Sequence, residues 1–213
     1  MNKNILRIIS EYLSDKSDMI LADFGCGEMP HKDQIEGYCK EYLAIDMPGN
    51  PKASHYINLE TNKTEISKEY CDIVWSIQVL EHVENYHLYL QEARRLLKSQ
   101  GLVIASTHGQ WKFHPDPIDY WRWTSDGLKE TFRKNGFEIV DFFGSLSFLT
   151  TSLQLFQDAC LISFPGVKYW KNPFCFIMQL FMLLTEKFSR MSKTLDKHRD
   201  MDSDVFFIVA KKT

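Results

Sequence analysis

Three groups of residues have the types and spacing to do chemistry. The first is Asp23-Phe24-Gly25-Cys26-Gly27, which closes an apolar run that begins at Ile20. Two glycines one residue apart let the chain turn sharply, and without Cβ atoms they let a ligand approach the backbone. An apolar strand running into such a turn opens a nucleotide site at the carboxyl edge of a Rossmann-like sheet. Pro30 interrupts a G-x-G-x-x-G fingerprint, so a dinucleotide pyrophosphate is not expected, nor the nicotinamide dehydrogenase it would serve. The second is Asp46, 19 residues after Gly27 and at the end of Tyr42-Leu43-Ala44-Ile45. A carboxylate there can accept from both hydroxyls of a ribose; Asp would equally suit a plain turn at a strand end.

The third group is the stretch from His108 to Thr124, with two histidines, two aspartates, an arginine and three tryptophans. Histidine is the side chain whose free pKa suits a base near neutrality. A positioned base contributes about 10²–10⁴-fold, whereas positioning the reactants can be worth roughly 7–11 kcal/mol. The residues that shape this loop therefore matter at least as much as its base. His114, then His108, are the candidate catalytic bases, with Asp119 as orienter. Two structural alternatives stand beside this reading: an Asp119–Arg122 pair that only locks the loop, and tryptophans that only fill a core. Indole faces interleaved with carboxylates also suit a sugar, whose C–H face stacks while its hydroxyls donate. No metal site is expected, because the histidines and acids lack ligand spacing.

The D-x-G-x-G of Asp23 to Gly27 resembles motif I of the class I S-adenosylmethionine (SAM) dependent methyltransferases. The block Asp72-Ile73-Val74-Trp75-Ser76-Ile77-Gln78-Val79-Leu80-Glu81-His82-Val83 resembles the fourth-strand motif of their small-molecule members. Asp119-Tyr120-Trp121-Arg122-Trp123-Thr124 is similar to a string in bacterial methyltransferases of surface-polysaccharide assembly. The resemblance implies SAM as cofactor, with Asp23, Gly25, Cys26 and Gly27 under its methionine part and Asp46 on its ribose. It also implies Asn58 and Leu59 beside the adenine, Ser76 and Gln78 along the cofactor, and His82 in the site wall. The expected activity is O-methylation of a small hydroxylated acceptor, a sugar or a lipid-linked glycan, in one inverting displacement. The alternatives are a lipophilic quinone-like acceptor and a non-catalytic subunit of the same fold that docks on a partner.

The elements that must position these groups alternate as in an α/β, doubly wound, seven-stranded sheet, mostly parallel with an antiparallel last strand. A helix is expected over residues 3–14, where Ile5, Ile8, Ile9 and Leu13 fall at helical spacing. Strands are expected at 19–24, 42–46, 55–58, 71–76, 102–106, 137–143 and 205–210. A helix over 86–98 is broken by Gly101, and Thr124 caps another that runs to Asn135 and is closed by Gly136. A single domain over 1–213 is expected, with 145–203 a helical insertion between strands six and seven, far longer than a hairpin loop. From Ser145 to Arg199 seven Lys or Arg stand against three acids. That stretch is thus +4 and the remainder −7. Its run Phe174 to Leu184 is apolar nearly all round and shorter than the about 20 residues a spanning helix needs. It reads as a buried cap helix or a homodimer face, or as a patch resting on an anionic membrane.

A chain of 213 residues with 44% hydrophobic and 25% charged residues is globular in composition. A net charge of −3 gives no general attraction to nucleic acid. The five cysteines are odd in number and scattered, so neither a disulfide framework nor a zinc site is expected. A reducing cytoplasm is the expected compartment, with peripheral contact at the inner membrane face as the variant for a lipid-resting insertion.

Overall fold

Ile73-Val74-Trp75-Ser76 are buried on consecutive positions, the pattern of a strand covered on both faces. A computed structural model of the chain describes residues 2–14, 18–164 and 171–213. The expectations that touch residues 1, 15–17 and 165–170, Lys168 among them, lie outside the described residues. The strands are β1 (Met19–Phe24), β2 (Cys39–Asp46), β3 (His55–Tyr56), β4 (Cys71–Ile77), β5 (Leu97–His108), β6 (Phe137–Gly144) and β7 (Val205–Lys212). They form one sheet in the order β3-β2-β1-β4-β5-β7-β6. Pairing is parallel from β3 to β5, and β7 runs antiparallel between β5 and β6.

Alternation along each strand sends side chains to two cores. On one face Leu21, Ile73, Trp75 and Phe207 meet Ile5, Ile8 and Leu13 from α1 (Asn2–Ile8) and the π-helical turn Ile9–Leu13 that continues it. On the other, Ala22, Val74, Val103 and Ile208 pack against Leu90, Ala93 and Leu96 of α3 (Tyr86–Leu96) and Leu128 and Phe132 of α4 (Ser125–Lys134). The Thr124 side chain accepts from Gly127 N to cap α4, and Gly136 ends it at φ +81°.

Three local expectations are corrected. β2 starts at Cys39 and not at Tyr42, so after the glycine turn there is room only for a four-residue helix, α2 (Lys32–Ile35), and a 3₁₀ turn. The third strand stops at Tyr56, and Asn58 instead bridges to Lys63 in a turn. Gly101 does not break a helix: α3 stops at Leu96 and β5 begins at Leu97, with no loop between them. Leu97 is fully buried opposite Cys71, so the chain must be extended there. Gly101 lies inside β5, where a Cβ would stand 3.0 Å from the Asp72 and Lys98 carbonyls.

Among the described residues three helices connect β6 to β7: α5 (Phe148–Ser163), α6 (Lys171–Met191) and α7 (Lys193–Arg199). Polar groups hold their root. Gly144 N donates to Asp200 Oδ1 at 3.0 Å, and Arg199 Nη1 to Ser145 O at 3.1 Å and Glu186 Oε1 at 2.6 Å. Asp204 N donates to Thr151 Oγ1 at 3.1 Å. The run 174–184 is not a buried cap helix: of its side chains only Met178 and Met182 are buried. Among the described residues no helix is long and apolar enough to cross a membrane.

Gly144 sits where this root closes, and a Cβ there would lie 2.1 Å from Arg199 O and 2.7 Å from Ser203 Cβ. Gly144→Ala is expected to lower stability by about 1–3 kcal/mol through overpacking, read as a shifted urea midpoint. An unchanged midpoint would mean that the insertion is not seated against β6.

Candidate functional site

The carboxyl ends of β1, β2, β4 and β5 carry almost every group singled out above. The turn after β1 is made by one acceptor: Ile45 O of the neighbouring β2 takes Gly25 N at 2.9 Å and Cys26 N at 3.0 Å. Gly25 adopts φ +83°, and a Cβ on it would meet Val79 Cγ1 at 2.6 Å. Gly27, at φ +50°, has nothing within 4 Å of such a Cβ, so the outer glycine faces open space. Asp46 reaches over this turn: its Oδ2 accepts from Gly27 N at 3.0 Å and Asn50 Nδ2 at 2.6 Å, and its Oδ1 from Met47 N at 2.8 Å. Two carboxylate oxygens offer about four acceptor sites, so one remains on Oδ1. The Cys26 Sγ lies 3.9 Å from Asp46 Oδ2, and burial beside Asp23 and Asp46 pushes its thiol up to about 12.

Asp23 stands beneath the turn, 6% exposed, accepting from Tyr42 Oη. Burial pushes its carboxyl up to about 6; the Tyr42 bond opposes that shift and the nearby Asp46 charge adds to it. A buried carboxylate without a cation is a charge the fold holds at a cost.

β4 leaves the sheet through Gln78, a non-glycine residue at φ +59°. It is held there by Gln78 N donating to Ser106 O at 2.9 Å and its Nε2 to Ser106 Oγ at 3.1 Å. Left-handed backbone at such a residue costs of order 1–3 kcal/mol and tends to occur at functional sites. The following 3₁₀ turn, Leu80–His82, places Glu81 fully inside. Glu81 Oε2 accepts from Thr107 Oγ1 at 2.8 Å, its Oε1 lies 3.5 Å from His108 Nε2, and its carbonyl takes Tyr120 N at 2.8 Å. Burial pushes the Glu81 carboxyl above the usual glutamate range. It pushes His108, itself buried and facing the Arg122 charge, down to about 4. His108 is therefore neutral near pH 7.

Three imidazoles converge on this edge. His114 lies 5.6 Å from His108 and 5.7 Å from His82, ring centre to ring centre. His82 Nδ1 is 2.6 Å from Ile118 O. A carbonyl only accepts, so Nδ1 carries the hydrogen and Nε2 of the neutral ring is left as an acceptor. Asp119 does not touch an imidazole ring. It takes two Arg122 bonds at 2.6 Å, which hold its carboxyl down to about 2, and accepts from His114 N at 2.7 Å. Arg122 also donates to Trp111 O at 2.9 Å and to Lys112 O, so the pair fastens the start of the loop to its end. Any orienting of His114 by Asp119 acts through the main chain.

Other expected residues are placed differently from the edge group. Ser76 is buried in β4 and bonded to Tyr89 Oη at 2.8 Å, behind the turn. Asn58 Oδ1 is taken up by Glu60 N and Thr61 N, and Leu59 is exposed. Trp121 and Trp123 pack edge-on against Tyr86 at 5.2 and 5.1 Å, with Trp121 Nε1 donating to Val83 O. Trp111 stacks on His108 at 5.6 Å. Glu81, Tyr42 and Arg122 join the site without having been given a functional role from the sequence. Glu81 was readable only as part of the Leu80-Glu81-His82-Val83 string, because its role depends on Thr107 and His108 at the end of another strand.

A family model for the methyltransferase domain matches residues 1–141. The chain is 27% identical over 117 residues to the ubiquinone biosynthesis O-methyltransferase of Glaesserella parasuis, covering 45% of this chain and 50% of that protein. The first two curated relatives are matched over only 24% and 50% of their own length. Among solved structures, an S-adenosylmethionine dependent methyltransferase from Mesorhizobium loti aligns with TM-score 0.57 and 13% identity, over 98% of this chain and 96% of that one. Phosphoethanolamine N-methyltransferase 2 from Haemonchus contortus, in complex with S-adenosyl-L-methionine, aligns with TM-score 0.57 and 16% identity, over 99% of this chain and 52% of that one. At such identities the likeness to the solved structures is one of fold.

Asp23 binds its proton more tightly folded, with a pKa of about 6 against 3.8. The stability it contributes is therefore full below the unfolded value and is lost as pH rises through the folded one. Asp23→Asn keeps an acceptor for Tyr42 and removes that loss. At neutral pH the ligand-free variant should unfold at higher urea than the wild type, by up to about 3 kcal/mol, with the gap closing in acid. Equal midpoints at neutral pH would show that the carboxylate is not held at a cost.

Proposed function

The chain belongs to the methyltransferase-domain family, and on that premise we propose that it is a SAM-dependent methyltransferase acting on a hydroxyl of a small acceptor, a sugar or a lipid-linked glycan. One observation carries the reading. The glycine turn with its two carboxylates and the loop bearing His114 meet at the same sheet edge.

The residues present fit SAM. Gly27 faces open space, Asp46 keeps an acceptor beside it, and Asp23 is a buried carboxylate that has no ion pair among the described residues. Asp23, Gly25, Cys26 and Gly27 would hold the amino-acid end, Asp46 the ribose, and Gln78 and His82 the wall. When bound, SAM supplies a methyl group on a sulfonium that is its own leaving group. What the chain must add is a placed acceptor and somewhere for the hydroxyl proton to go. His114, exposed beside His108 and His82, takes that proton in this reading; His108, neutral and buried, backs it. The Asp119–Arg122 clamp fixes the loop that carries His114, which is the positioning part of the rate.

Trp121 and Trp123 are occupied by Tyr86, so an acceptor ring would meet Trp111, Phe113 and Tyr120. Phe113 is 75% exposed and Ile118 51%. Those side chains, together with the match to a ubiquinone biosynthesis O-methyltransferase, favour a quinone-like acceptor as the second reading. Labelled SAM offered with sugar nucleotides, glycolipids and quinols separates the two; label in none of them would leave a non-catalytic role.

Asp46→Ala should weaken S-adenosylhomocysteine binding at least about tenfold by calorimetry, through loss of charge-assisted bonds; wild-type affinity would put the ribose elsewhere. His114→Ala should slow methyl transfer by about 10²–10⁴-fold while leaving that affinity unchanged. A wild-type rate would remove His114 as the base.

A further inference from the structure

An amphipathic surface helix turns its apolar stripe to the core. α5 and α6 do the reverse. Toward the protein α5 turns Thr150, Thr151, Gln157 and Asp158, and α6 turns Ser189 along with Met178 and Met182. Outward on α6, Ile177, Phe181, Leu184 and Phe188 stand one turn apart on a single stripe, each at least half exposed. Phe156 and Ile162 of α5 are exposed at 57% and 68%. Contiguous apolar surface of this kind on a soluble chain marks a place where something else covers it.

The charges say what covers it. Of the five acids of the insertion four are engaged: Asp158 with Lys112, Glu186 with Arg199 and Arg190, Asp196 with Arg199, and Asp200 with Gly144 N. Lys171, Lys187 and Lys197 are exposed and make no ion pair among the described residues. The apolar stripe is thus flanked by Lys187, in an insertion with seven Lys or Arg against five acids. A second copy docking by two-fold symmetry would bring the same cations against themselves. An anionic lipid surface complements both the apolar stripe and its charge.

We propose that α5 and α6 lie in the plane of an anionic membrane surface, with the Ile177–Phe181–Leu184–Phe188 stripe sunk among the acyl chains and Lys187 on the headgroups. α6 is about 31 Å long at 1.5 Å per residue and carries Glu186, Lys187 and Arg190 in its last turns, so it rests on the bilayer rather than crossing it. The insertion that carries this face adjoins the candidate site. The insertion leaves the sheet at Gly144 and returns at Val205, which pairs with His108, and Lys112 of the His114 loop binds Asp158 at 3.0 Å. Acceptors held at the lipid surface would therefore meet the loop without leaving it.

The test is flotation of the full chain, without SAM or acceptor, with vesicles of phosphatidylcholine alone or mixed with phosphatidylglycerol. The protein should float with the mixed vesicles at low salt, less at high salt, and weakly with phosphatidylcholine alone. The double variant F181E/L184E should stay at the bottom with an unchanged melting temperature, since both side chains are exposed. Lys187→Glu should cut partitioning roughly tenfold, near the effect of reversing one charge at such a surface. The proposal is overturned if the wild type does not float with mixed vesicles, or if F181E/L184E floats as well as it does. It is also overturned if the wild type stays at the bottom and sediments as a dimer that F181E/L184E abolishes, which would assign the face to a second copy. None of these readouts involves methyl transfer, so each is separable from the function proposed above.

Discussion

A single carbonyl organises the site. Ile45 O accepts from Gly25 N and Cys26 N together, and this bends the chain out of β1 while keeping it fastened to β2. Three consequences follow from that fastening. Asp23 is left beneath the bend, Gly27 is carried to the outside, and Asp46, one residue past the acceptor, is brought within 3.0 Å of Gly27 N. The bend is tolerated because Gly25 has no Cβ to strike Val79, so the neighbouring strand end can approach closely. Without parallel pairing of β1 between β2 and β4, none of these groups would share a locality.

Beside that bend the polar interior is unusual in its accounting. Glu81 and His108 lie within 3.5 Å, both buried, with burial moving each toward its neutral form. Neutral–neutral contact is the arrangement a dry interior favours, because neither charge then needs solvation. Thr107 fastens one Glu81 oxygen, Tyr120 its carbonyl, and Arg122 the two ends of the loop beyond. The loop that looked on composition like an irregular stretch is in fact a closed ring of hydrogen bonds, and His114 is mounted on it by its own backbone.

Features that depend on a single strand or helix were legible in the sequence. Apolar runs located β1, β4 and β5, Thr124 announced the start of α4, and Asp46 was read at the end of β2 by its distance from the glycines. What could not be read depends on partners distant in sequence. Leu97 reads as the continuation of a helix until its burial against Cys71 is known. Trp121 and Trp123 read either as a sugar-stacking platform or as core until Tyr86 is seen to take them. Asp119 read equally as orienter and as lock, and Arg122 occupies its oxygens. The eleven-residue apolar run read as a buried cap helix, a dimer face or a membrane patch, and only the packing of polar residues inward shows which way it faces.

Gly144 and Phe206 face one another across the β6–β7 pair, so the three-helix excursion begins and ends at adjacent points of the sheet. Loop closure adds entropy only slowly with length, and the strands already hold the two ends together. The segment is attached in the manner of an exchangeable cassette: its size and surface can drift across descendants while the nucleotide bend, four strands away, keeps its shape. Substitutions on the outer surface of the excursion and substitutions at the glycine bend thus fall on separate stretches of one chain.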